Sequence, residues 1–282
     1  MEKGWIALDI DGTITIEKYS VPRPVRAFLK EKVSEGWNLA IVTGRTFHFA
    51  SMALSEFDFP YVLLPQNGTI AIQMPEKKIL FTRYMSEKMI AQIEKAYEGI
   101  PSDFLVYAGF EKKDHCYFRK ERFPKEQEGA IREWQERQKE TWEAVSEFPL
   151  EKLTSFPLAK GFGSFDFLAK VKERLEKTKQ FEIALMRDPF KENKAVLLIT
   201  DKEASKGLSM SELFRLLGRG PLVIAAGDDE NDISLLSIAD IKIAMAHAPE
   251  PLQQVADFIA PPTEKMGIIH ALEFAIKNGK NR

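Results

Sequence analysis

The chain has 282 residues, 44% of them hydrophobic, with 40 Lys and Arg against 42 Asp and Glu for a net charge of −2. At roughly 150 residues per domain this length predicts two domains with a full core, and the near-neutral balance gives no electrostatic footprint for nucleic acid, so a small-molecule partner is expected. No apolar stretch approaches the roughly 20 residues of a membrane span, no basic or apolar leader precedes the first strand, and the lone Cys116 excludes an internal disulfide; the reading is a soluble protein of the cytoplasm.

The first third alternates strand and helix. Trp5 to Leu8 is an uninterrupted apolar run, a buried strand ending in Asp9-Ile-Asp11-Gly12-Thr13. With a period of two, Asp9 and Asp11 project to the same side, and two such charges repel unless a cation or a shared proton is present. The segment also reads as a plain polar turn. As a calcium loop it fails on spacing, because Ser20 stands where the bidentate Glu belongs. A helix follows from Pro24, with Val25, Phe28, Leu29 and Val33 as its apolar face and Gly36 as its stop. The strand Trp37 to Thr43 breaks at Gly44-Arg45, the run Tyr61 to Pro65 leads to Gln66-Asn67-Gly68, and residues 69–72 and 79–82 form a hairpin.

The middle third predicts a helix at 86–98, short strands at 104–108 and 116–119, and a long charged helix at 125–146 carrying Trp134 and Trp142. A strand at 153–159, a helix at 164–177 and strands at 181–187 and 195–200 complete it. That order is a self-contained α+β module inserted into an α/β chain, because βα alternation then resumes. The last third has a helix after Ser205-Lys206-Gly207, the strand Leu222 to Ala226, the loop Gly227-Asp228-Asp229-Glu230-Asn231-Asp232, strands at 241–245 and 257–260, and a helix at 267–277. The expected architecture is a Rossmann-like parallel-sheet core from residues 1–83 and 202–282, with the module at 84–201.

In a parallel sheet the carboxyl ends of the strands share one edge, so the Asp9 loop, Thr43-Gly44-Arg45 and the Asp228 loop are expected to meet there, joined by Lys206. Carboxylates, a hydroxyl, an ammonium and loop amides form an inventory for Mg²⁺ and a phosphoryl group. Each residue also has a plainer reading: Thr43 as a strand end, Lys206 as a solvated cation, Asp228 and Asp232 as helix caps, Asn67-Gly68 as a turn.

Together, Asp9-Ile-Asp11-Gly12-Thr13, Thr43-Gly44-Arg45, Asn67-Gly68, Ser205-Lys206-Gly207 and Gly227-Asp-Asp-Glu-Asn-Asp232 resemble the motifs of the haloacid dehalogenase superfamily, in its order and across essentially the whole chain. The module resembles the C2B cap of its Cof-type phosphatases, a cap that closes over the site and selects the substrate. The resemblance implies Asp9 as nucleophile, Asp11 as acid and base, and Mg²⁺ held by Asp9, the Asp11 carbonyl and Asp228, with Asp232 as a further or supporting ligand. It implies Lys206 and Thr43 on the phosphoryl oxygens, with Gly44, Arg45, Asn67, Gly68 and Asn231 as phosphate-binding or loop-supporting residues. The substrate would be a small phosphorylated metabolite, commonly a sugar phosphate. A slow Mg²⁺- and phosphate-binding regulatory protein and a phosphosugar mutase stand as alternatives; oligomeric state is not read.

Two positions depart from the family pattern: Asp229 stands where Gly, Asn or Ser is common, and Ala246-His247 replaces a Gly-Asn pair, with His247 read as structural. A rival phosphate loop, His115-Cys116-Tyr-Phe-Arg-Lys-Glu-Arg122, has the Cys-to-Arg spacing of cysteine phosphatases but bulky and acidic residues where small ones are needed. Gly161-Phe-Gly163 lacks the third glycine of a dinucleotide fingerprint and reads as a loop.

Overall fold

The computed structural model describes residues 3–187 and 194–279. Its chain forms two compact units, the first comprising Met1–Arg45, Ala50–Thr82 and Ser205–Arg282, the second Thr46–Phe49 and Arg83–Ala204. In chain order the elements begin with β1 (Gly4–Leu8), α1 (Arg23–Ser34), β2 (Trp37–Val42), α2 (Phe47–Ala53), β3 (Tyr61–Leu64), β4 (Ile70–Met74) and β5 (Lys78–Thr82). They continue with β6 (Met85–Ser86), α3 (Lys88–Tyr97), β7 (Phe104–Tyr107), β8 (Cys116–Phe118), α4 (Lys125–Gln138), β9 (Trp142–Ala144), β10 (Ser155–Phe156), β11 (Leu158–Ser164), α5 (Phe165–Glu176), β12 (Phe181–Arg187) and β13 (Lys194–Asp201). The last are α6 (Lys206–Leu217), β14 (Val223–Gly227), α7 (Ile233–Ser237), β15 (Ile241–Met245), α8 (Glu250–Val255), β16 (Phe258–Ala260) and α9 (Gly267–Gly279).

Unit 1 is built on an eight-stranded sheet in the order β16-β15-β14-β1-β2-β3-β4-β5, parallel from β16 to β3 and antiparallel beyond. The apolar runs of β1 and β14 are buried along their whole length, as strands covered on both faces must be. One face packs Trp5, Ala7, Val42, Val62 and Val223 against Met210 and Leu213 of α6 and Leu235 and Leu236 of α7. Register fixes the functional edge. Leu8 pairs with Ala226 on one side and Ile41 on the other, so Asp9, Thr43 and Asp228 emerge at the same end of three adjacent strands. The chain winds one way through β1, β2 and β3 and the other way through β14, β15 and β16, and the crevice at such a switch is where open α/β sheets bind ligands.

Unit 2 is a six-stranded sheet, β12-β13-β11-β7-β8-β9, with a two-stranded ribbon of β10 and β6. Alternation along β7 divides its two cores. Phe104 and Val106 face Ile93, Tyr97, Leu168 and Val171 of α3 and α5, while Leu105 and Tyr107 face Ile131, Trp142 and Phe162.

Two expectations inside this unit are corrected. The charged helix ends at Gln138, not at residue 146: Lys139 takes a left-handed conformation (φ 52°, ψ 34°), and Trp142 instead opens a strand parallel to β8. Its ring packs against Phe118, Phe162 and Tyr107, and burying it there outweighs the helix preference of the charged residues around it. Gly161 and Gly163 lie within strand β11, not a loop; a Cβ on Gly161 would sit 2.1 Å from the Tyr97 hydroxyl, so the glycine serves close approach rather than a turn. The short helices α2 and α8 are additions that the apolar pattern did not predict.

Candidate active site

The groups gathered around Asp9 all belong to unit 1. Asp9 leaves β1 with its backbone N–H still bonded to Ala226 O, which carries the side chain to the sheet edge while keeping it 95% buried, at 5% exposure. Lys206 is the first residue of α6, whose N-cap Ser205 accepts the N–H of Leu208. A Cβ on the next residue, Gly207, would lie 2.1 Å from Ser234 O, so this glycine lets α6 press on α7 and sets how deep Lys206 enters. The ammonium is 1% exposed and donates to Asp9 Oδ1 and to Asp232 Oδ1, each at 2.6 Å. Burial would push its pKa down, but Asp232 and Asp9 carry it above the ordinary lysine value, so Lys206 is a fixed cation.

Asp232 ties the third loop to this pair. Its Oδ2 accepts the N–H groups of Asp228 (3.0 Å) and Asp229 (3.2 Å), and a Cβ on Gly227 would fall 2.3 Å from its Cγ, which only glycine avoids. Asp229 caps the short turn at 230–232 by accepting from Glu230 N at 2.7 Å; the added carboxylate is thereby engaged in loop geometry. Oxygens of Asp9, Asp228 and Asp232 lie within 4.8 Å of one another. Burial, above all, holds Asp9 well above the usual carboxylate range, with Lys206 opposing and Asp232, Asp228 and Asp11 adding to the rise. Burial and Asp232 likewise bring Asp228 to about 6 against the pull of His247. The donors are hard oxygens held together against their own repulsion, which is the set that a hard divalent cation takes.

Around this centre the remaining predicted residues have definite places. Arg45 is buried, and its Nε and Nη2 meet the Asp11 carboxylate at 2.8 and 2.6 Å while Nη1 donates to Lys18 O at 2.6 Å. The guanidinium is thus placed on Asp11, whose side chain is 58% exposed, a partnership that motif spacing does not show. Thr43 is buried, and its hydroxyl oxygen accepts Arg45 N at 3.2 Å across Gly44. Asn67 takes a left-handed conformation (φ 57°), donates its N–H to Thr43 O, and accepts Asn231 Nδ2 at 3.2 Å. Gly68 at φ 90° offers its carbonyl to Ser209 Oγ at 2.8 Å.

Three residues were missed as contributors. Ser209 and Thr263 hydrogen-bond Gly68 O and Gly12 O, and Ser234 accepts Gly207 N at 3.2 Å. No local signal marks Thr263, which lies 251 positions from its partner. His247, read as structural, has its Nε2 3.2 Å from Asp228 Oδ2. The cysteine rival is set aside: Cys116 is fully buried in β8, burial pushes its thiol well above the ordinary range, and Arg122 pairs with Glu147.

The family model described as haloacid dehalogenase-like hydrolase matches residues 6–272. Phosphoglycolate phosphatase of Sulfurisphaera tokodaii is 34% identical over 87 residues, a match spanning 31% of this chain and only 38% of that protein. Phosphatase YwpJ of Bacillus subtilis is 24% identical across 95% of this chain and 98% of its own. Among solved structures, a haloacid dehalogenase-like hydrolase from Bacteroides thetaiotaomicron superposes with a TM-score of 0.77 at 22% identity, covering 96% of this chain and 99% of that one. A sugar phosphatase of HAD subclass IIB gives 0.75 at 21% identity, covering 97% and 100%. At these identities the solved structures show a shared fold. No helix among the described residues is long and apolar enough to cross a membrane. With its family model matched over nearly the full length and its motif residues gathered at one sheet edge, the chain belongs to the haloacid dehalogenase-like hydrolases.

Proposed function

We propose that this chain is a Mg²⁺-dependent phosphatase that hydrolyses a small phosphorylated metabolite, a sugar phosphate first among them, through an aspartyl-phosphate on Asp9. One observation carries the reading: Asp9 is a buried carboxylate at a strand end with Oδ1 held by Lys206, while Oδ2 accepts no hydrogen bond among the described residues. Oδ2 attacks phosphorus, forming an O–P bond as the ester oxygen leaves with a proton from Asp11. Asp11 then takes a proton from water, the water oxygen attacks phosphorus, and Asp9 is released with inorganic phosphate. To reach the leaving oxygen as an acid, Asp11 must leave the Arg45 guanidinium, which holds both of its oxygens here. The Thr43 hydroxyl, with its oxygen already accepting from Arg45 N, keeps its proton for a phosphoryl oxygen, and Lys206 supplies the fixed positive charge. Asn67, Gly68 and Asn231 hold the loop beside Thr43. Asp9, Asp228 and the Asp11 carbonyl would hold Mg²⁺, with Asp232 in support, and the bound ion would neutralise charge on the transferring phosphoryl group. The sugar-phosphate preference draws on the subclass IIB sugar phosphatase that shares the fold.

The test is phosphate release from a panel of phosphorylated metabolites, with Mg²⁺ or EDTA. Wild type and Cys116→Ser are expected to be active with Mg²⁺ only, and Asp9→Asn to fall by roughly 10³-fold or more. Equal rates in wild type and Asp9→Asn would refute the assignment and favour a binding protein; isomerised sugar phosphate without free phosphate would favour a mutase.

A further inference from the structure

The residue at position 247 carries more than the turn it sits in. His247 follows β15, at the same sheet edge as Asp228, and its Nε2 lies 3.2 Å from Asp228 Oδ2. Two features hold that approach. Gln253 of α8 donates to Ala246 O at 3.2 Å and to Ala248 O at 2.9 Å, clamping the backbone on both sides of the histidine. On the other side, a Cβ on Gly12 would lie 2.1 Å from Asp228 Oδ2 and 2.8 Å from His247 Nε2, so the Asp9 loop closes against the pair through its only side-chain-free residue.

We propose that His247 is a positioning residue for the cation site: its Nε2–H donates to Asp228 Oδ2, fixes the rotation of that carboxylate, and so raises the affinity of the site for Mg²⁺. This inference rests on the metal-dependent reading above. A carboxylate on a loop turns about its Cβ–Cγ bond, and a cation that needs it in one orientation must stop that rotation. The backbone of Asp228 is already anchored through its N–H to Asp232, but its side chain has no hydrogen-bond partner other than His247 among the described residues. Oδ1 accepts no hydrogen bond among the described residues and would be the oxygen left for the ion. The histidine does not compete for the site, since the oxygens that converge within 4.8 Å are those of Asp9, Asp228 and Asp232. Hydrogen-bond partners of metal-binding groups typically contribute 10- to 100-fold in affinity.

The experiment is calorimetric titration of Mg²⁺ into the metal-free 282-residue chain, as wild type, His247→Ala, His247→Gln and Asp228→Asn. Wild type is expected to bind, Asp228→Asn to lose most of the affinity, and His247→Ala to bind roughly 10- to 100-fold more weakly. His247→Gln, whose terminal amide nitrogen stands near the place of Nε2, is expected to recover to within about threefold of wild type, while the thermal unfolding of all metal-free variants stays close together. Equal affinity in wild type and His247→Ala, with Asp228→Asn still impaired, overturns this inference and leaves the metal site standing. Loss in His247→Ala that Gln does not restore overturns it too, since the donor is then not what matters. No Mg²⁺ binding by wild type removes the metal-dependent reading and this inference together.

Discussion

Asp114 offers a sharp test of the electrostatics of unit 2. It is 1% exposed; Oδ2 accepts the N–H of His48 at 2.7 Å, while Oδ1 has no partner among the described residues. Burial first, then the nearby charges of Glu140 and Glu111, push its pKa from the ordinary 3.8 to about 7, with the His48 N–H and Lys160 opposing. The sign follows from the raised value. The folded chain binds the proton more tightly than the unfolded chain, so stability is full below about pH 4, falls as pH rises toward 7, and is level above. Each pH unit across that interval is worth about 1.4 kcal/mol, so ionising Asp114 in the folded chain costs on the order of 4 kcal/mol more than in the unfolded chain. Asp114→Asn keeps the acceptor for His48 and has no charge to lose. The variant is therefore expected to match wild type near pH 4 and to exceed it by about 4 kcal/mol near pH 8. The assay is hydrogen exchange of the β7 and β8 amides of both proteins across that range, which reports the openings that expose this unit. A difference under about 1 kcal/mol at the alkaline end, or one that does not change with pH, would show that the carboxylate is solvated and refute the reasoning.

Two further outcomes follow from buried contacts. Arg119 is 1% exposed, forks onto Asp103 with both bonds at 2.8 Å, also pairs with Glu94, and lies 4.2 Å from the Phe148 ring centroid. Arg119→Met should cost about 3–5 kcal/mol in denaturant unfolding because Asp103 is left buried and unpaired, and adding Asp103→Leu should recover much of it; a single-variant loss below about 1 kcal/mol would show the network to be dispensable. Gly68→Ala is expected to lower stability by about 1–3 kcal/mol, because φ is 90° and the new Cβ would lie 2.4 Å from Ser209 Cβ. Ser209→Gly in the same chain should restore the steric part alone, and a melting temperature unchanged by Gly68→Ala would count against the strained turn.

How much was legible before the structure depends on where each residue's partner lies. Asp9 and Asp228 could be read because fully buried parallel strands are unbroken apolar runs, and a carboxylate that ends such a run has to lie at the sheet edge. The pairing of Leu8 with Ala226 and Ile41 is that inference in register. The stop of α4 was hidden because residues 139–146 continue its charged pattern, and only the packing of Trp142 on Tyr107, Phe118 and Phe162 ends the helix. Glycine misled at 161 for the same reason: the Tyr97 hydroxyl that forbids a side chain is distant in sequence. Arg45 sits beside Thr43 in the motif, yet its target is Asp11, 34 positions earlier.

Lys206 shows why such long-range partners decide chemistry. Read from its helix alone it is a solvated cation at an N-terminus, an unfavourable place for positive charge beside the helix dipole. At 1% exposure, with Asp9 and Asp232 each at 2.6 Å, it is instead the ion that makes two buried carboxylates tolerable. One ammonium does not balance the site, however. Asp9, Asp228 and Asp232 against Lys206 leave two negative charges within a few ångströms, and that repulsion adds to burial, the larger cause, in raising Asp9 and Asp228. Protons relieve it at low pH, but a protonated carboxyl is neither a nucleophile nor a good metal ligand. A divalent cation would relieve it at neutral pH while keeping both carboxylates ionised, at the sheet edge where Thr43 and the Asn67-Gly68 turn also stand. The charge left over by the protein's own groups is therefore an independent argument for a divalent cation, separate from the likeness of its motifs.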